Sequence, residues 1–141
     1  MYSNILVATD ISDDAERVLS RAKNIAEKYQ AKLTLIHVVE PVVIETNFDL
    51  SPPINIDLEQ SLTERAENFL AQLAEKKRLT DVNSIVTVGS AKHEIHRLCQ
   101  HENVDLVVIG THGRHGISML LGSTANAILH GTSCDVLAVK L

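Results

Sequence analysis

Tryptophan is absent from this sequence, and two tyrosines and two phenylalanines make up its whole aromatic content. Any core must therefore be filled by Val, Ile, Leu and Ala, the composition of parallel sheets covered on both faces. Cys99 and Cys134 are the only cysteines. Two thiols are too few for the disulfide framework of a secreted domain, and they read as buried thiols of a reducing cytosol. Apolar runs are short as well. None approaches the roughly 20 residues that span a bilayer, and Ile5 to Ala8, with Asp10 close behind, is too brief for a signal-peptide core. A cytoplasmic protein without membrane contact is expected. Positive charge is also in deficit, with a net charge of −5. Neutralising a nucleic-acid backbone requires a basic face, so no nucleic-acid partner is expected.

What is present fits one globular unit. A chain of 141 residues, 45% hydrophobic and 22% charged, supports a single domain over residues 1–141 with a sizeable core. Asn4 to Thr9 forms a short β-branched run and predicts a first strand. Asp13 and Glu16 have the spacing of a capping pair, and apolar residues from Ala15 to Tyr29 then recur at helical intervals up to Gln30. Lys32 to Val39 predicts the second strand. From Pro41 to Ile56 the periodicity breaks, and Pro52-Pro53 argues against regular structure in its middle. That stretch is either a flap over a site or a connection without function.

From Asp57 to Arg78, apolar residues at three- and four-residue spacing predict one long helix. Val82 to Val88, Asp105 to Ile109 and Asp135 to Val139 read as further strands. Helices are expected at Ala91 to Glu102 and Ser123 to His130. Strict alternation of strand and helix specifies a doubly wound α/β sandwich with a parallel sheet.

The stretch with the strongest chemical signal is Gly110 to Thr124. It follows the buried run Leu106 to Ile109, carries glycines at 110, 113, 116 and 122, and ends on Gly122-Ser123-Thr124 at a helix start. Glycines let a ligand lie against the backbone. Free N–H groups and hydroxyls at a helix N-terminus favour an anion, and phosphate is the natural guest. His112, Arg114 and His115 add local polarity. Neither Gly-Lys-Ser nor Gly-Lys-Thr occurs, so this is not a P-loop and its phosphate-reaching lysine is missing.

Open parallel sheets bind ligands beyond the carboxyl ends of their strands. Thr9 and Asp10 occupy such an end, and Asp10 faces the glycine loop if strands one and four are neighbours. Its carboxylate is then a cation ligand, a partner for a ribose or base edge, or only a helix cap.

Together the Ile5-Leu-Val-Ala-Thr-Asp10 opening, Leu35-Ile-His-Val-Val39, Val107-Val-Ile-Gly-Thr-His-Gly113, Gly122-Ser-Thr and Val136-Leu-Ala-Val139 resemble the universal stress protein family over nearly the whole chain. The resemblance implies a five-stranded parallel sheet of order 3-2-1-4-5 with helices on both faces. It also implies an adenine-nucleotide ligand, ATP or AMP with or without Mg2+, and a homodimer formed through the last strand, Asp135 to Val139. Position by position, Ala8, Thr9 and Asp10 would line the nucleotide, the Val39 backbone would meet adenine, and Ile109 and Gly110 the ribose side. His112, Gly113, Arg114, Gly122, Ser123 and Thr124 would lie about the phosphates. The family pattern sets nine residues between its second and third glycines, whereas eight, Arg114 to Leu121, separate Gly113 from Gly122. Some branches of the family share this shorter loop. Ala125 stands where binders often carry a second hydroxyl.

A sensor or adaptor in a stress response is therefore expected rather than a metabolic enzyme. Hydrolysis or phosphoryl transfer lacks a lysine and a second carboxylate near Asp10. The histidine pairs His93/His96 and His112/His115 have no thiolate or carboxylate partner at zinc-site spacing, so no metal site is expected. A dinucleotide fold would need glycines after strand one, where Thr9-Asp10-Ile11-Ser12 has none. Dimerisation without a nucleotide and slow ATP hydrolysis are the alternatives.

Overall fold

A computed structural model describes residues 1–41, 53–111 and 123–141 of the chain, with side chains of 53–56 excepted. Five strands form one parallel sheet in the order β3-β2-β1-β4-β5. They are β1 (Asn4–Ala8), β2 (Lys32–Val39), β3 (Asn83–Val88), β4 (Leu106–Gly110) and β5 (Asp135–Val139). The helices between them are α1 (Ala15–Tyr29), α2 (Pro53–Lys76), α3 (Ala91–His101) and α4 (Ser123–Gly131).

Period-two geometry explains the three layers. Successive side chains of a strand point to opposite faces, so in β1 Ile5 and Val7 enter one core while Leu6 enters the other. The first core joins these to Leu33, Leu35 and Val108, and to the apolar stripes of α1 and α2. The second joins Leu6 to Ile36, Val107, Ile109 and the inner sides of α3 and α4. Because both faces are covered, the central strands read as unbroken apolar runs.

The connections leaving β1 and β4 part company. The first leads to α1 on one face, the second to α4 on the other. Since β1 and β4 are paired neighbours, a crevice opens between their carboxyl ends.

Three local expectations change. Helix α2 starts at Pro53 rather than at Asp57. Proline suits a first helical position, whose N–H has no intrahelical partner, so Pro53 starts regular structure instead of preventing it. The helix stops at Lys76, and Arg78 takes a left-handed φ of 53°. The Asp13/Glu16 capping pair does not form: Asp14 is the residue before α1 and makes no side-chain cap bond. Glu16 instead reaches across to Lys76 and Lys77. The Lys76 ammonium bonded to it holds the Glu16 carboxyl below its ordinary range. Cys99 is buried as expected, but Cys134 is only half-buried, since it lies in the bend before β5 at the edge of the second core.

Among the described residues no helix is long and apolar enough to cross a membrane. The expected flap between Pro41 and Ile56 falls largely on residues outside those described, as do four of the site candidates, His112, Gly113, Arg114 and Gly122.

Candidate functional site

A cavity of about 550 Å³ lies at the carboxyl ends of β1, β2 and β4. Eight of the twelve sequence-derived candidates line it: Ala8, Thr9, Asp10, Val39, Ile109, Gly110, Ser123 and Thr124. The remaining four are the undescribed residues named above.

Thr9 is the buried polar residue of the floor. Its N–H donates to the Ile36 carbonyl at 3.0 Å, continuing the β1–β2 ladder, and its own carbonyl meets Nδ1 of His37 at 2.8 Å. A carbonyl only accepts, so Nδ1 of His37 carries the proton in this contact. Asp10 follows, and its Oδ1 accepts a bond from the Ser12 hydroxyl at 2.6 Å. The capping alternative for Asp10 fails, because α1 begins after Asp14.

Across the crevice, Ile109 is buried and Gly110 ends β4. A Cβ on Gly110 would come within 2.7 Å of Leu141 Cδ1 and 3.4 Å of Val18 Cγ2. A side chain here would have to displace the end of Leu141 from the cavity wall. Leu141 is tied in turn by its N–H to Thr111 Oγ1 at 3.3 Å, and it forms part of the cavity wall.

Val39 closes β2 with its side chain buried, and its carbonyl accepts from Gly89 N–H at 2.9 Å. A second lone pair remains on that oxygen. Gly89 has a φ of 153°, which glycine adopts without strain. Ser123 and Thr124 are exposed at the first turn of α4, where backbone N–H groups lack intrahelical partners. Ala125 is buried beneath them. Apolar walls between strand ends, with a helix N-terminus at their margin, suit an apolar ring at one end and an anion at the other.

Sequence reasoning missed several walls. His37 lay inside the second strand's motif without a role assigned to it. Arg65 and Leu62 come from α2, and no pattern in that helix distinguishes a residue aimed at the crevice from an ordinary surface position. Leu141 likewise carried no signal. Among the described residues no three His, Cys, Asp or Glu side chains converge as a metal cluster.

A doubly wound parallel sheet with a crevice at its switch point defines the class of fold. The sequence model of the universal stress protein family matches residues 1–140, and the chain belongs to that family. It is 40% identical over 138 residues to universal stress protein A homolog 1 of Coxiella burnetii, covering 98% of this chain and 96% of the relative. The solved universal stress protein UspA from Lactobacillus plantarum superposes with a TM-score of 0.85 at 29% identity, covering 98% of this chain and 97% of its own. A universal stress protein crystallised in complex with cAMP superposes with a TM-score of 0.66 at 25% identity, with 98% and 97% covered.

Proposed function

We propose that the chain binds an adenine nucleotide, ATP or AMP, in the crevice between β1 and β4 and serves as a stress sensor or adaptor rather than a metabolic catalyst. The observation that carries this reading is the convergence of Asp10, Val39, Gly110 and the Ser123-Thr124 helix start on one cavity. The cAMP complex of a family member supports an adenine ligand. In this reading the Val39 backbone meets the purine, Ile109 and Gly110 lie on the ribose side, and Asp10 bonds the ribose or holds Mg2+. The phosphates meet Ser123 and Thr124, together with His112, Gly113, Arg114 and Gly122.

Calorimetric titration of the purified protein with ATP, AMP and cAMP tests it. Saturable heat with at least one of them is expected, and the Gly113→Val/Gly122→Val double variant should bind none of them while keeping its circular dichroism. Equal affinity in the variant, or flat titrations of the native chain, would overturn the reading. Single-turnover cleavage of ATP at kinase-like rates, about 1 to 100 per second, would overturn the non-catalytic role.

The second element of the proposal is a homodimer through β5. That strand is an edge of the sheet, and its Val136, Leu137 and Ala138 are only half-buried, as a strand awaiting a partner would be. Light scattering should give twice the chain mass of 15.5 kDa; a monomer at micromolar concentration would reject it.

A further inference from the structure

The Cys99 and Cys134 sulfurs are 3.7 Å apart although 35 positions separate them in sequence. Cys99 faces inward from α3 at 5% exposure, among Leu6, Val107 and Ile128. Cys134 lies in the bend that leads into β5 and is partly exposed. One cysteine is sheltered, the other is partly open, and their sulfurs touch. We propose that Cys99 and Cys134 form a peroxide-responsive dithiol that closes to an intramolecular disulfide and reopens with a thiol reductant.

The division of labour follows from their surroundings. Peroxide must meet a sulfur it can reach, and Cys134 is the more exposed of the two cysteines. Burial, and then the neighbouring Cys134, push the Cys99 thiol up to about 12, so Cys99 is a poor first target. In the first step the Cys134 sulfur attacks one peroxide oxygen, an S–O bond forms and the O–O bond breaks. The departing hydroxide takes the Cys134 proton as water, leaving a sulfenic acid. In the second step the Cys99 sulfur attacks the Cys134 sulfur, the S–S bond forms and the S–O bond breaks. The leaving hydroxide removes the Cys99 proton as a second water. Two thiols lose two electrons, and one hydrogen peroxide becomes two waters. The sulfurs must close from 3.7 Å to the roughly 2.05 Å of a disulfide, a displacement that the bend at Cys134 can supply.

The covalent loop so formed encloses β4, the glycine-rich residues and α4. It would tie the end of α3 to the segment that follows α4.

The test is to treat the reduced native protein with one equivalent of hydrogen peroxide, quench with iodoacetamide under denaturing conditions, and map tryptic peptides. Peptides 98–114 and 115–140 should appear joined within one chain and separate after dithiothreitol. The oxidised protein should melt about 5 °C or more above the reduced one. Cys134→Ser should leave Cys99 reduced at the same peroxide dose, and Cys99→Ser should leave a sulfenic acid on Cys134 that dimedone captures. Full alkylation of both thiols after peroxide, linkage only between separate chains, or oxidation of Cys99 at an undiminished rate in Cys134→Ser would each overturn the proposal. The native-protein map does not depend on any variant folding, nor on whether a nucleotide binds.

Discussion

The two ends of the same sheet hold hollows of nearly equal volume, about 550 Å³ at the carboxyl ends of the strands and about 560 Å³ at the amino ends. Size does not tell them apart; construction does. At the amino ends the chain satisfies its own strand starts. The Asp105 carboxylate accepts from the N–H groups of Ser3 at 2.7 Å and Asn4 at 3.2 Å, the Asn4 amide donates to the Asn103 carbonyl, and Lys32 N–H donates to Ser3. Lys32, Asp81, Asn83 and Glu102 give that hollow a charged, polar rim. At the carboxyl ends the connections from β1 and β4 diverge to opposite faces, so Asp10, Gly110 and the first turn of α4 meet around an apolar slot. A volume becomes a candidate site when the chain leaves it with convergent polar groups on apolar walls. Helix α3 runs past both hollows, with Ile95 in the upper wall and Leu98 in the lower.

The contrast breaks most directly by filling each hollow in turn. Gly110→Val brings a side chain onto Leu141 and Val18 and should weaken nucleotide binding by at least about 30-fold, roughly 2 kcal/mol. Asn83→Val at the opposite end should leave the affinity within about twofold; calorimetry on both variants reads the difference. Equal losses would erase the distinction. A smaller effect, on stability alone, is expected from Asp105→Ala. Removing the carboxylate that accepts from Ser3 and Asn4 should cost about 1 to 2 kcal/mol in urea unfolding with unchanged nucleotide affinity.

A further effect is confined to alkaline solution. Cys99 has its pKa raised to about 12 from an ordinary 9.0, so the unfolded chain releases this proton first. Its contribution to stability is complete below about pH 9 and is lost as pH climbs toward 12, with a slope of at most about 1.4 kcal/mol per pH unit. Reduced Cys99→Ala should lack that part of the alkaline slope in denaturant titrations, while the two proteins should show the same pH dependence between pH 6 and 8.

Strands were legible because two-sided burial turns them into apolar runs: Ile5-Leu6-Val7 and Val107-Val108-Ile109 have no polar residue to blur the pattern. Helix α1 was legible from its stripe, yet its cap was not. Glu16 has the capping spacing, but the cation of Lys76, sixty residues on, and that of its neighbour Lys77 compete for the same carboxylate, and a one-dimensional pattern holds no trace of them. Pro52-Pro53 misled in a similar way, since proline marks a helix start as readily as a break. Strand ends and the Gly-Ser-Thr helix start carried the crevice because parallel topology dictates where it opens. His37, Arg65 and Leu141 reach it through tertiary packing alone.

The pleat of β1, with Ile5 and Val7 in one core and Leu6 in the other, has a bearing on how such chains can change length. Adding or deleting a single residue there would turn every later side chain of the strand over, moving each into the wrong layer. Gains and losses of residues are thereby channelled out of the strands and into the segments that connect them.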